Sequence, residues 1–209
     1  MRVILVVMGA VAGVVITHAA AQTAPATAPS FTEGNSWTFK KKDGSMYSEK
    51  FLQQGADGTL VFEVTSQGGT RRISRTGALN PLDAERREIP MLRFPLAVGS
   101  SWDNVSTWKS SNGYGGKNSI TYKVEAEEAV QINGEQLPAY RITANGWQQV
   151  TSHPSSQGDS KVKQTYWYVP STRRIAKFEG SVVRSMGYGR EVLWDEAYEL
   201  TRFSLVTTN

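Results

Sequence analysis

Residues 119–132 alternate apolar and polar side chains: Ile120, Tyr122, Val124, Ala126, Val130 and Ile132 fall on one side, and Thr121, Lys123, Glu125 and Gln131 on the other. Strand side chains point to opposite faces with a period of two, so this run reads as a half-buried β-strand. Asn133-Gly134 follows at once. That dipeptide is the strongest short hairpin signal, because a type I′ turn needs positive φ at both central residues. The chain then returns from about Leu137 to Val150. Only Glu128 breaks the apolar side. Either a bulge at Glu127-Glu128 re-aims its carboxylate or an acid points inward, and the cost of burying an unpaired charge favours the bulge.

The same reading extends along the chain. Further strands are expected at 162–169, 173–184 and 190–205, joined by Pro170-Ser171-Thr172 and by the 185–189 segment. Upstream, Trp37-Thr38-Phe39, 45–53, 59–66 and 70–76 are separated by Asp43-Gly44, Asp57-Gly58 and Gly68-Gly69. These are meander connections. Within 77–93, Asn80-Pro81 could start one or two helical turns through Arg87, ended by Pro90; an extended crossover fits equally. The expected fold is all-β with at most one short helix, an antiparallel meander forming a curved sheet, half-barrel or open barrel. Gly34-Asn35-Ser36-Trp37 and Gly99-Ser100-Ser101-Trp102 share G-x-S-W, read as a glycine turn followed by a tryptophan that plugs the sheet end.

The N-terminus sets the compartment. Met1-Arg2, an apolar run from Val3 to Val15 and Ala19-Ala20-Ala21 have the charge, length and small-residue exit of a secretory signal peptide. Cleavage is expected after Ala21, giving a periplasmic or secreted protein with no stable transmembrane segment after processing. A retained anchor is the competing reading, but it needs about 20 apolar residues. Residues 22–30 read as a Pro/Ala/Thr linker, and 31–209 as a single β domain.

Composition removes whole chemistries. There is no cysteine, so thiolate catalysis, thiolate metal ligation and lipidation through cysteine are all closed. His153 is the sole histidine beyond the leader, which leaves almost no material for a histidine metal site or a Ser-His-acid triad. No cofactor, metal or catalytic residue is therefore expected. Removing Arg2 leaves 22 basic against 19 acidic residues, a net charge of about +3. The basic residues cluster at Lys40-Lys41-Lys42, Arg71-Arg72 with Arg75, Arg86-Arg87 and Arg173-Arg174. Their expected place is the wet face of the strands. Nucleic acid is not an expected partner for an exported chain. Envelope lipid or polysaccharide fits better.

Three sets of residues carry a family resemblance: Phe94-Pro95-Leu96-Ala97-Val98-Gly99-Ser100-Ser101-Trp102; Glu128-Ala129-Val130-Gln131-Ile132 with Leu137-Pro138-Ala139-Tyr140-Arg141-Ile142; and Tyr166-Trp167-Tyr168-Val169-Pro170 with Lys177 and Glu199-Leu200. Together they resemble a family of exported bacterial β-rich proteins of unknown function, over roughly residues 94–205. The chain departs from that pattern at Asn133-Gly134, where a Pro-Ala-Gly type of turn is the commoner form. The resemblance implies a scaffold similar in kind to the half-open barrels of bacterial lipoprotein carriers, which hold an apolar ligand on the concave face. It brings no catalytic residues.

Antiparallel succession puts the long connections 109–118, 152–161 and 185–189 on one rim and the tight turns at 133–134 and 170–172 on the other. The long-loop rim carries two glycine-flanked tyrosines, Tyr114 and Tyr188, and such loops are where β scaffolds commonly bind. With Glu128 they are the candidate ligand-binding residues. Trp37, Trp102, Tyr122, Trp167 and Trp194 lie in strand patterns and are expected in the core. Asp195-Glu196 and Glu127-Glu128 are adjacent, so each pair should point to opposite faces and not flank one substrate. The leading expectation is a non-enzymatic module that binds or carries a small apolar or amphipathic ligand. The alternative is an envelope-assembly protein that binds another protein through a sheet edge or the loop rim.

Overall fold

Ten strands form along the chain: β1 (Ser36–Lys41), β2 (Met46–Gln54), β3 (Leu60–Ser66), β4 (Gly69–Arg75), β5 (Ser101–Lys109), β6 (Gly115–Ile132), β7 (Glu135–Val150), β8 (Asp159–Val169), β9 (Arg174–Met186) and β10 (Gly189–Ser204). This is a computed structural model, describing residues 24–83, 87–109, 115–150, 159–186 and 189–206, without the side chains of 185 and 186. Among the described residues there is no α-helix, only a 3-10 turn at Pro170–Thr172.

All ten strands join one antiparallel sheet in the order β4-β3-β2-β1-β10-β9-β8-β7-β6-β5. The chain makes a four-stranded meander, crosses to the far edge through residues 76–100, and meanders back until β10 pairs with β1. The sheet stays open, with β4 and β5 at its edges. It is nevertheless strongly bent. β9 and β3 lie four strand steps apart, about 19 Å on a flat sheet, yet the Arg174 guanidinium sits 4.8 Å from the Phe62 ring centre.

Alternation explains which face is filled. Residues directly opposite each other share a face, and Val124, Ile142, Tyr166, Phe178 and Tyr198 form one continuous row across β6 to β10. That concave side holds the core. Asn133 and Gly134 both take positive φ, 51° and 84°, the conformation required of a type I′ hairpin. Both G-x-S-W copies behave alike: Gly34 and Gly99 have φ of 91° and 89°. Each buried indole then donates to a backbone carbonyl, Trp37 to Thr172 at 2.8 Å and Trp102 to Pro90 at 2.5 Å.

Residues 77–83 and 87–93 are an extended crossover, not a helix. Its Leu79, Leu92 and Leu96 are buried against the concave side. Asn80 pins it, donating to the Leu92 carbonyl and accepting from the Leu92 N–H, both at 2.7 Å. Of the stretch read as a linker, the described part is docked: Ala26 exchanges two backbone hydrogen bonds with Leu96, and Ser30 accepts from Arg173.

The β6 bulge exists but lies at Glu125, not at Glu127-Glu128: Val124 pairs with Ile142 and Ala126 with Arg141. One extra residue exchanges the faces of everything beyond it. Glu128 thus comes to the outer side with Arg141 and Trp167. Glu125 itself accepts from Lys123 and Thr143.

Candidate functional site

The tyrosine pair and Glu128 fare differently. Tyr114 and Tyr188 lie outside the described residues. Glu128 is half-exposed on the outer face, accepting from the Trp167 indole at 2.6 Å and from Arg141 Nε at 3.1 Å. Lys177 lies 4.5 Å above the Trp167 ring, and Glu128, Trp167 and Lys177 border a groove of about 300 Å³ with Ile132, Glu199 and Leu200. Trp167, expected in the core, is buried.

A different site emerges on the concave face. A cavity of about 280 Å³ opens between the sheet and the crossover, roofed by Leu79 and Met91. Its wall is aromatic. Phe39 stacks on Tyr47 at 4.9 Å; Tyr198 meets Phe39 at 5.5 Å and Phe178 at 5.2 Å; Phe178 meets Tyr166 at 5.1 Å and Trp194 at 5.7 Å. The strands place them there by alternation, as Trp194 and Tyr198 share a face on β10, and Tyr166 stands opposite Phe178. Burial pushes the hydroxyls of Tyr47, Tyr166 and Tyr198 above their ordinary value. All three therefore stay neutral donors and acceptors at neutral pH.

Into this aromatic wall the fold inserts charge. Glu49 on β2 stands between Trp37 and Val64 and is almost fully buried. Arg174 pairs with its Oε2, and Arg75 reaches Oε1 only at 3.8 Å. One carboxylate thus serves two guanidinium groups. Arg174 is 6% exposed and lies over the Trp37 and Phe62 rings. Burial lowers its pKa from the ordinary guanidinium value to about 10 and lowers that of Arg75 too, against the opposing pull of Tyr198 and Tyr47. The Nε atoms of both arginines are buried with no hydrogen-bond partner among the described residues.

Two of the clustered basic residues therefore leave the wet face expected of them. For Arg75 the reason is phase, since it stands opposite buried Leu60 and two residues from Ile73; Arg174 opens β9 opposite buried Val169, ahead of the register shift that separates it from Phe178. Adjacent Asp195 and Glu196 do part as expected, Asp195 pairing with Lys42 at 2.6 Å outside and Glu196 lining the cavity. A second hollow of about 250 Å³ shares Tyr47, Glu49, Arg75, Glu196 and Tyr198 with the first and adds Lys41 and Arg71. Among the described residues no group of three His, Asp or Glu could hold a metal ion.

No protein-family model matches the chain, and no curated protein does. Among solved structures it is similar to a Bacteroides fragilis protein described as exported and YmcC-like in fold, with 12% identity and a TM-score of 0.49, covering 87% of this chain and 100% of that one. It is also similar to the hypothetical lipoprotein YmcC of Escherichia coli, with 11% identity and a TM-score of 0.49 over 82% and 85% of the two chains. A Parabacteroides distasonis protein described as a lipoprotein gives 12% identity and 0.44 over 87% and 100%. The chemistry of the cavity is that of this chain's own residues.

Proposed function

We propose that this chain is an extracytoplasmic, non-enzymatic module that binds or carries a small amphipathic ligand in the concave cavity. One observation carries the reading: an aromatic hollow with a polar end, enclosed between the bent sheet and a pinned crossover. Pockets that bind small molecules are commonly of this make, largely apolar with a few placed polar groups. The extracytoplasmic part rests on the leader-like N-terminus. At about 280 Å³ the cavity lies just below the usual volume range, about 300–1,000 Å³, which fits one short chain or one ring system.

Protein purified from its native compartment should retain a small molecule in native mass spectrometry. A neutral apolar dye should bind it and be displaced by the extracted ligand. Trp194→Ala and Tyr198→Ala should each weaken dye binding while the sheet remains folded by circular dichroism. Absence of any retained species together with no dye binding would overturn the reading.

A specific observation supports the protein-binding alternative less strongly. β4 is an uncovered edge, and exposed edges accept partner strands. Its exposed Arg72, with Arg71, is the sort of charge that discourages such pairing. Cross-linking in intact cells through position 72 would reveal a partner.

A further inference from the structure

We propose that the cavity selects ligands bearing an anionic oxygen group, a carboxylate or a phosphate, seated against Arg75 and Arg174. This rests on the ligand-binding reading above and names the ligand's head.

The charges that face the two joined hollows come from five strands: Lys41 on β1, Glu49 on β2, Arg71 and Arg75 on β4, Arg174 on β9 and Glu196 on β10. Four cations meet two carboxylates. A buried cation without full compensation is costly, and here the shortfall is local. Glu49 is committed to Arg174, while Arg75 stands 3.8 Å from its nearer oxygen, beyond hydrogen-bond range. Both Nε–H groups point to no acceptor among the described residues. A guanidinium offers a rigid planar fork that matches carboxylate and phosphate oxygens two bonds at a time. An oxyanion placed beside Arg75 would supply the missing acceptors and charge. The Tyr47 and Tyr198 hydroxyls, which interact electrostatically with both arginines, would add donors to the same anion.

The apolar remainder of the ligand has one place to go. The Phe39, Tyr166, Phe178 and Trp194 side chains line the same 280 Å³ hollow as Arg75 and Arg174, so head and tail are read in one continuous space. The ligand class is a single-chain or single-ring amphiphile with one anionic head. Arg75 is the reading group, because its side chain is 24% exposed and reachable, whereas Arg174 at 7% is held by Glu49.

The test titrates the full chain with decanoate, decyl phosphate and decanol, following tryptophan fluorescence and calorimetry. At least one of the two anions should bind about tenfold tighter than the alcohol, the worth of one charge-assisted hydrogen bond. The tighter of the two identifies the head. Arg75→Gln should erase the preference, read as the ratio of anion to decanol affinity in the same variant, and Arg75→Lys, which keeps the charge but loses the fork, should retain part of it. Should Arg75→Gln fail to fold, the lysine variant carries the comparison alone. Equal affinities for the anions and the alcohol, or a preference that survives Arg75→Gln, would overturn this inference and leave ligand binding intact. Binding of none of the three would overturn both.

Discussion

Glu49 and Glu128 each meet an arginine beside a tryptophan, on opposite faces of one sheet, and they solve different problems. The Glu128 side chain is 40% exposed and each of its oxygens accepts a hydrogen bond, one from Trp167 and one from Arg141. Its exposure leaves the remaining lone pairs open to solvent, so the cluster carries no buried polar deficit. The Glu49 side chain is 6% exposed, has two guanidinium neighbours, and leaves two buried Nε–H groups without a partner among the described residues. The outer carboxylate is satisfied and the inner one is outnumbered, so the aromatic hollow, alone of the two, holds ionised groups with unmet polar demand. Polar saturation marks the outer cluster as a structural pin. Polar deficit marks the inner one as a site.

The largest test of that contrast is alkaline. Tyr47, Tyr122, Tyr140, Tyr166, Tyr168 and Tyr198 all have hydroxyl pKa values raised by burial, Tyr122 to about 12. A folded-state value above the unfolded one, about 10, means that the folded chain holds its proton longer. The stability this contributes is present below about pH 10 and is lost as pH rises through the folded values. Arg174, lowered to about 10, works the other way: the unfolded chain binds its proton more tightly, so this group favours folding increasingly above that pH. Six tyrosines outweigh two arginines. Tyrosinate absorbance should therefore appear cooperatively with loss of β signal between about pH 10 and 12. Titration of Tyr47, Tyr166 and Tyr198 near 10 in a still-folded protein, assigned by Tyr→Phe variants, would show the hollow to be wet and the contrast false.

Next in size is the inner carboxylate. Glu49→Gln leaves Arg174 buried without its counter-charge, a kind of change that costs about 3–5 kcal/mol, read as a lowered urea midpoint. The double variant Glu49→Leu with Arg174→Met removes both charges, and should recover most of that loss because a buried pair replaced by apolar groups is often neutral. If the single variant costs under about 1 kcal/mol, the pair behaves as a surface pair and Glu49 is solvated.

Much of this was legible in the residues. The Asn133-Gly134 turn and the two G-x-S-W turns are local signals, and local geometry obeyed them; the 119–132 alternation holds only through Val124, because the bulge at Glu125 puts Ala126, Val130 and Ile132 on the other side. The pairing of β1 with β10 was not, because nothing within 76–100 says which edge the chain will reach. The site was half visible. Glu49 lies between Tyr47 and Phe51, Glu196 between Trp194 and Tyr198, and Arg75 two residues from Ile73. Each interrupts an apolar face as Glu128 does, and the same question of where the charge goes applies to all of them. What sequence could not show is that Glu49 and Arg174 meet, since a bend across three strand steps brings them together. The bulge at Glu125 was equally hidden. It sits three residues before the anomaly it resolves.

On the outer face, Trp167→Phe tests the pin directly. The ring's apolar area mostly survives and only the indole N–H to Glu128 is lost, so the cost should be about 1–2 kcal/mol. Unfolding midpoints for Trp167→Phe in the wild-type and Glu128→Ala backgrounds give a double-mutant cycle, and a coupling near zero would mean that the 2.6 Å contact contributes nothing.

The smallest effect belongs to Glu128→Gln itself. Its ion pair with Arg141 is screened by solvent, since the two side chains are 40% and 36% exposed, and exposed pairs contribute about 0.2–1 kcal/mol. A glutamine oxygen can still accept from the Trp167 indole, so even the hydrogen bond survives the change. Stability should fall by less than about 1 kcal/mol, and the loss should shrink in high salt, where Glu49→Gln should stay as costly as before because burial shields it from ions. Anion binding in the concave hollow should not move at all. A large, salt-independent loss at Glu128 would place it among the buried charges, and the difference between the two faces would have to be sought in something other than solvation.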